Sequence, residues 1–246
     1  MKPNLLRASL LSLALTMLVM TVPSTSEQYW VTFDDHTRYL ALGDSLTAGY
    51  AAHPATQGFA YQLYQSGVFD NVNHTLFCNA AVPGALSSDV LTYQVPQVSR
   101  FFPETSMPYR KAITITLGGN DMMQILLGAN PVVVIQSIGQ NLYSTLDALV
   151  ASYPDARIYV ANQYDPMLPF QGGAELVEAL NDTFEDVVQA FQPNVVLVDI
   201  HSAFQGKSGL LLNERMGAEI FQIHPTNAGY NVMAKAFADA IRQQED

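Results

Sequence analysis

The chain has 246 residues, is 49% hydrophobic and carries a formal charge of −11. An acidic balance of that size excludes nucleic acid and anionic lipid surfaces as natural partners, because both would be repelled. Cys78 is the single cysteine, so no internal disulfide can form. It lies in the apolar run Leu76-Phe77-Cys78 with no activating cation identifiable nearby, which makes it a core-packing residue.

Lys2 and Arg7 flank an apolar run from Ala8 to Val22 that ends in the small residues Ser24-Thr25-Ser26. This pattern reads as a signal peptide over residues 1–26. The run is shorter than the ~20 residues that span a bilayer, so export to the periplasm or the outside is expected, with no stable membrane insertion after cleavage. Removing Lys2 and Arg7 with no acid would take the charge from −11 to near −13. Residues 27–246, about 220 in number, suit a single domain with a sizeable core.

Five short runs rich in apolar and β-branched residues follow: Tyr39 to Gly43, Thr75 to Ala80, Ala112 to Leu117, Arg157 to Ala161 and Asn194 to Asp199. Helical patterns separate them. The clearest is Asn130 to Ser152, with Val134, Ile138, Leu142, Leu146 and Leu149 at helical spacing, Pro131 suited to the first turn and Pro154 beyond the end. Ala174 to Phe191 repeats the behaviour, and Thr226 or Asn227 can cap a last helix carrying Tyr230, Met233, Ala234 and Phe237. Strands alternating with helices predict βαβ units and a parallel sheet covered on both faces.

In such a sheet ligands bind outside the carboxyl ends of the strands. Ser45 follows the first strand in Leu42-Gly43-Asp44-Ser45-Leu46, Gly84 follows the second in Asn79-Ala80-Ala81-Val82-Pro83-Gly84, and Asn120 follows the third in Gly118-Gly119-Asn120-Asp121. His224 opens His224-Pro225-Thr226-Asn227-Ala228-Gly229-Tyr230 before the last helix. Each alone has an ordinary reading: Ser45 or Asn120 as a helix cap, Gly84 as a turn residue. Asp44 suits bracing the turn through backbone hydrogen bonds.

Taken in order, these four segments resemble the sequence blocks of the GDSL (SGNH) serine esterases and lipases, over nearly the whole mature chain. The resemblance implies a three-layer α/β/α sandwich of the flavodoxin-like kind with five parallel strands. It also implies Ser45 as nucleophile, His224 as general base, and an oxyanion hole made by the Ser45 and Gly84 backbone N–H groups and the Asn120 side-chain amide. The chemistry suits those residue types. A serine hydroxyl needs a neutral imidazole to take its proton, a glycine allows close backbone approach, and an asparagine offers donors without charge.

One position departs from the pattern. The family carries a carboxylate three residues before the histidine, and here that residue is Phe221, in Glu219-Ile220-Phe221-Gln222-Ile223-His224. The imidazole could then be held by Glu219, by a backbone carbonyl, or by nothing fixed; a Ser–His dyad with carbonyl support is the preferred expectation, with Glu219 the possible third member. His201, in Asp199-Ile200-His201 at the end of the last strand, is the competing base, but its surroundings lack the family's Pro, Gly and aromatic pattern. His36, His53 and His74 are scattered through irregular segments, and no spacing of histidine or cysteine resembles a metal site, so neither a metal nor a cofactor is expected.

Apolar loops on the same sheet edge, Met122, Met123, Leu126 and Leu127 after the third strand and Met167, Leu168, Pro169 and Phe170 after the fourth, suggest a greasy acyl site; Met122, Met123, Met167, Leu168 and Phe170 are the substrate-binding candidates. Leu210 to Leu212 read as a flap near His224. The expected activity is hydrolysis of a small-molecule or lipid ester with a short to medium acyl chain. Alternatives are an acetyl-esterase on glycans, a thioesterase or lysophospholipase of the same fold, or a catalytically weak binding protein.

Overall fold

In the computed structural model the described residues are 36–104, 108–166, 172–216 and 219–244. The expected signal peptide lies outside them. Five parallel strands form the sheet: β1 (Thr37–Gly43), β2 (Thr75–Asn79), β3 (Arg110–Thr116), β4 (Arg157–Ala161) and β5 (Val195–Val198), in the order β2-β1-β3-β4-β5. The order steps outward from β1 in both directions, with β2 on one side and β3 to β5 on the other. The crevice beside β1 and β3 is therefore the place where a ligand is expected.

Alternation along β1 divides the core. Tyr39 and Ala41 face one layer, which holds α1 (Ser45–Ala48), α2 (Phe59–Ser66), and two later helices, α6 (Ile200–Phe204) and α7 (Asn227–Arg242). Leu40 and Leu42 face the other, where Ile138, Leu142, Leu146 and Leu149 of α4 (Pro131–Ser152) pack beside Leu180, Phe184 and Val188 of α5 (Gly173–Gln189). This is the expected α/β/α sandwich, and the strand residues are apolar on both faces because both faces are covered. Cys78 packs partly buried against the second layer, and burial raises its thiol pKa.

Local signals set the ends of the helices. Asn130 caps α4 by accepting from the Val132 and Val133 N–H groups, with Pro131 at the first helical position. Thr226, and not Asn227, caps α7; Asn227 instead exchanges hydrogen bonds with the His53 backbone. The sequence reading missed an antiparallel ribbon of β6 (Glu214–Met216) and β7 (Glu219–Phe221), whose three-residue strands are too short to show a period.

Candidate active site

At the carboxyl edge of the sheet, β1 ends in a sharp turn at Gly43, whose φ of 134° is open to glycine alone. A Cβ there would stand 2.1 Å from the Thr116 carbonyl oxygen. The turn is held on both sides. Gly43 N–H donates to Gln94 Oε1 at 2.8 Å and Gln94 Nε2 donates back to Gly43 O at 2.8 Å, so the Gln94 side chain pairs with Gly43 as a neighbouring strand would. Gln94 reaches this point from the π-helical turn Val90–Gln94.

Ser45 is the first residue of α1 and is 8% exposed. Asp44 precedes it as the helix cap. Its Oδ1 accepts from the Leu46 N–H at 3.0 Å and from Thr116 Oγ1 at 2.7 Å, bracing the turn. Burial raises the Asp44 pKa, and its hydrogen bonds and the nearby His224 only partly offset that rise.

His224 Nε2 lies 2.9 Å from Ser45 Oγ, within hydrogen-bond reach. On the far side of the ring, Nδ1 is 2.8 and 2.9 Å from the two carboxylate oxygens of Glu214 on β6. Glu214 Oε2 also accepts from the His224 backbone N–H, so this one side chain fixes both the ring and the loop that carries it. This corrects the sequence expectation. The group on Nδ1 is not the expected backbone carbonyl but the carboxylate of Glu214, ten residues upstream of the histidine, which the sequence reading did not consider. The ring is further packed by Tyr50, with centroids 4.5 Å apart, and Tyr50 is held by the Tyr230 hydroxyl on its carbonyl.

Leu210 to Leu212 are not a flap. Leu210 is buried and its carbonyl accepts from the Thr226 N–H; Leu211 bridges Pro225, and Leu212 N–H donates to the His224 carbonyl. The three residues therefore form a floor under the histidine loop. A Cβ on Gly229 would stand 2.2 Å from the Leu210 carbonyl oxygen, which explains the glycine there.

The residues expected to form an oxyanion hole sit on three segments: Ser45 and Asn120 at helix starts and Gly84 in a loop. The Ser45 and Gly84 N–H groups have no protein acceptor among the described residues. Gly84 has φ 84°, and no atom lies within 4 Å of where its Cβ would be. Asn120, on α3 (Gly119–Leu126), donates from Nδ2 to the Ala85 carbonyl at 2.9 Å, tying its own position to the Gly84 turn. Asp121 strengthens the tie, since its carboxylate accepts from both the N–H and the hydroxyl of Ser87, and Asn141 donates to that hydroxyl. Burial raises the Asp121 pKa in turn. Gln163, beyond β4, donates from Nε2 to the Leu117 carbonyl and is itself anchored by two hydrogen bonds with Asn181. These supporting amides were not singled out in the sequence.

Ser45 and Asn120 open into an apolar cavity shared with Met122, Met123, Tyr164, Val177 and Ile223. Two of the expected acyl-site residues, Met122 and Met123, are thus present. Met167, Leu168 and Phe170 lie outside the described residues, and Leu127 is exposed. His201 stands elsewhere. It is in the first turn of α6, where its N–H donates to Asn162, while Asp199 caps the helix through Ser202; His201 is thus helical and Asp199 its cap, in place of the expected extended segment. Burial works to raise the Asp199 pKa, but hydrogen bonds from Ser202 and Asn162 outweigh it and the net shift is downward. His201 lines a separate cleft with Phe204, Gln205 and Gln222.

A hydroxyl, an imidazole and a carboxylate linked in sequence at hydrogen-bond distance form the layout of an acyl-transfer centre. Residues 41–232 match the family described as GDSL-like lipase/acylhydrolase. The chain belongs to that family. A spore germination lipase of Bacillus licheniformis, LipC, is 25% identical over 210 residues, covering 80% of this chain and 93% of its own. Among solved structures, a lipase from a goat rumen metagenome, Lip_vut3, superposes with a TM-score of 0.65 at 22% identity, covering 83% of this chain and 97% of its own. The psychrotrophic esterase EstA of a Pseudoalteromonas species, inhibited by monoethylphosphonate, gives 0.61 at 19% identity, covering 85% and 98%. At those identities the structures speak to the fold alone, an α/β/α sandwich, and the family match makes the chain a GDSL-like hydrolase of the lipase and esterase type.

Proposed function

We propose that this GDSL-family hydrolase cleaves carboxylic esters of short to medium acyl chain through a covalent Ser45 acyl-enzyme, and that it does so after export. The observation that carries the reading is the in-line array of Ser45 Oγ, His224 Nε2 and Glu214 at the mouth of an apolar cavity. His224 takes the Ser45 proton as Oγ attacks the ester carbonyl. The oxyanion is met by the Ser45 and Gly84 N–H groups and Asn120 Nδ2, and Glu214 stabilises the imidazolium. The same imidazolium then protonates the leaving alcohol, and a water activated by His224 releases the acid.

The acyl chain would lie against Met122, Met123 and Val177, flexible apolar walls that suit variable chains. Export rests on Lys2, Arg7 and the apolar run from Ala8 to Val22. Among the described residues no helix is long and apolar enough to cross a membrane.

A fluorophosphonate probe tests the nucleophile: it should label Ser45, and labelling that survives in Ser45→Ala would overturn the assignment. His224→Ala should lose at least ~100-fold in kcat, while His201→Ala should stay near the parent. Turnover of p-nitrophenyl esters of graded length measures the acyl range. Strong preference for acetate with activity on acetylated polymer would point instead to a glycan esterase, and no turnover of any ester to a binding protein.

A further inference from the structure

The opposite, amino-terminal edge of the sheet holds a second cluster of chemistry-bearing residues. In the β1·β2 register Thr37 pairs with Thr75. His36 and His74 each stand one residue before that pair, so the parallel ladder sets the two imidazoles side by side, with ring centroids 4.6 Å apart. Asp70 comes from the turn before β2, and its Oδ2 is 3.4 Å from His36 Nδ1. One ligand atom from each of the three residues lies within 4.8 Å of the others.

We propose that His36, Asp70 and His74 bind a divalent transition-metal ion of the zinc class. Two imidazoles and one carboxylate are the donor set such ions prefer, whereas calcium and magnesium favour all-oxygen sites. With bonds of about 2.0–2.1 Å, tetrahedral zinc ligands stand about 3.3–3.4 Å apart. The His36–Asp70 separation has that value already, and His74 offers its ligand atom within 4.8 Å of both. The His36 side chain is 52% exposed, which leaves a corner for water.

The ligand-bearing segments are held from behind. Asp70 Oδ1 accepts from the Asn71 N–H, which orients the carboxylate. Arg110 joins the two segments, donating its N–H to the His36 carbonyl and its guanidinium to that of Phe69. The site lies at the end of the sheet remote from Ser45. A bound ion would clamp the starts of β1 and β2 together and leave the ester chemistry alone.

Titrating the purified protein with zinc chloride should give one tight site per chain and raise Tm by about 5 °C at saturation. His74→Ala and Asp70→Asn should each weaken zinc binding by at least ~10-fold without changing ester turnover. Asp70→Asn keeps the shape should His74→Ala fail to fold. Cobalt in place of zinc should show the visible d–d absorption of a tetrahedral site, and Asp70→Asn should lose it. Zinc binding unchanged in both variants, no binding by the parent, or an equal Tm rise with magnesium would each overturn the proposal.

Discussion

Glu214 and Phe221 are register partners across the β6–β7 ribbon, so the carboxylate on His224 stands directly opposite the position from which the family pattern supplies one. Residues paired in an antiparallel ladder share a face with their Cβ atoms about 5 Å apart. An acid moved from one strand to its partner can therefore still reach the same imidazole. Phe221, 9% exposed, is buried at the position where the family pattern has the acid.

That relationship predicts a clear asymmetry between two glutamates. Glu214→Gln keeps the shape but removes the charge that supports the imidazolium, and kcat should fall by 10²- to 10⁴-fold, towards the loss seen when a protease triad acid is neutralised. Glu219→Gln should stay within a few-fold of the parent. Steady-state kinetics with a p-nitrophenyl ester, beside thermal melts, decides the matter: the reverse ranking at unchanged Tm would remove Glu214 from the triad.

The sandwich was legible in the sequence because long helices such as Pro131–Ser152 carry enough turns for a period to emerge. Ser45, Gly84, Asn120 and His224 stood out only together, through compact motifs that resemble a family's, since each alone also suits an ordinary cap or turn. Glu214 was hidden because its selection depends on a ribbon of two three-residue strands, where neither propensity nor period has room to act. The same holds for Gln94 and Gln163, whose roles arise from contacts 51 and 46 residues away. The approach of His36 to His74 depends on strand register, which composition does not encode.

Asn120 is predicted to act in the transition state and not in substrate affinity. Asn120→Ala removes the side-chain donor, so kcat should drop by roughly 10²- to 10³-fold with KM little changed. Asp121→Asn gives a smaller loss in kcat, because it loosens the Ser87 contact that ties the Gly84 turn to the Asn120 helix. A variant at Asn120 that raised KM alone would assign the amide to ground-state binding.

Gln94 should matter for both stability and rate. Gln94→Ala leaves the buried Gly43 N–H without an acceptor, at a cost of about 1–3 kcal/mol, while the Gly43 carbonyl keeps the Val82 N–H. Because Gly43 sets the turn two residues before Ser45, fluorophosphonate labelling should slow as well. Gln94→Glu retains the acceptor and loses the donor, and should fall between the two in chemical denaturation. Full stability in the alanine variant would show that the turn holds without the amide.

The buried Asp44 carboxylate gives a pH-dependent prediction. Burial raises its pKa in the folded protein above the unfolded value of about 3.9. The folded state then binds the proton more tightly than the unfolded chain. Its contribution to stability is fully present below the unfolded pKa and is lost as pH rises through the folded value. Asp44→Asn keeps the Oδ1 acceptor for Leu46 and Thr116 but carries no charge to bury, so it escapes that loss. The Tm of the asparagine variant relative to the parent should therefore rise between pH 4 and pH 7. Asp44→Ala strips the Leu46 N–H of its acceptor and should be destabilised by about 1–3 kcal/mol at both pH values. Thermal melts of all three proteins across that range are the check. If the asparagine variant loses ground to the parent as pH rises, the fold favours the Asp44 charge, and the desolvation account of this residue fails.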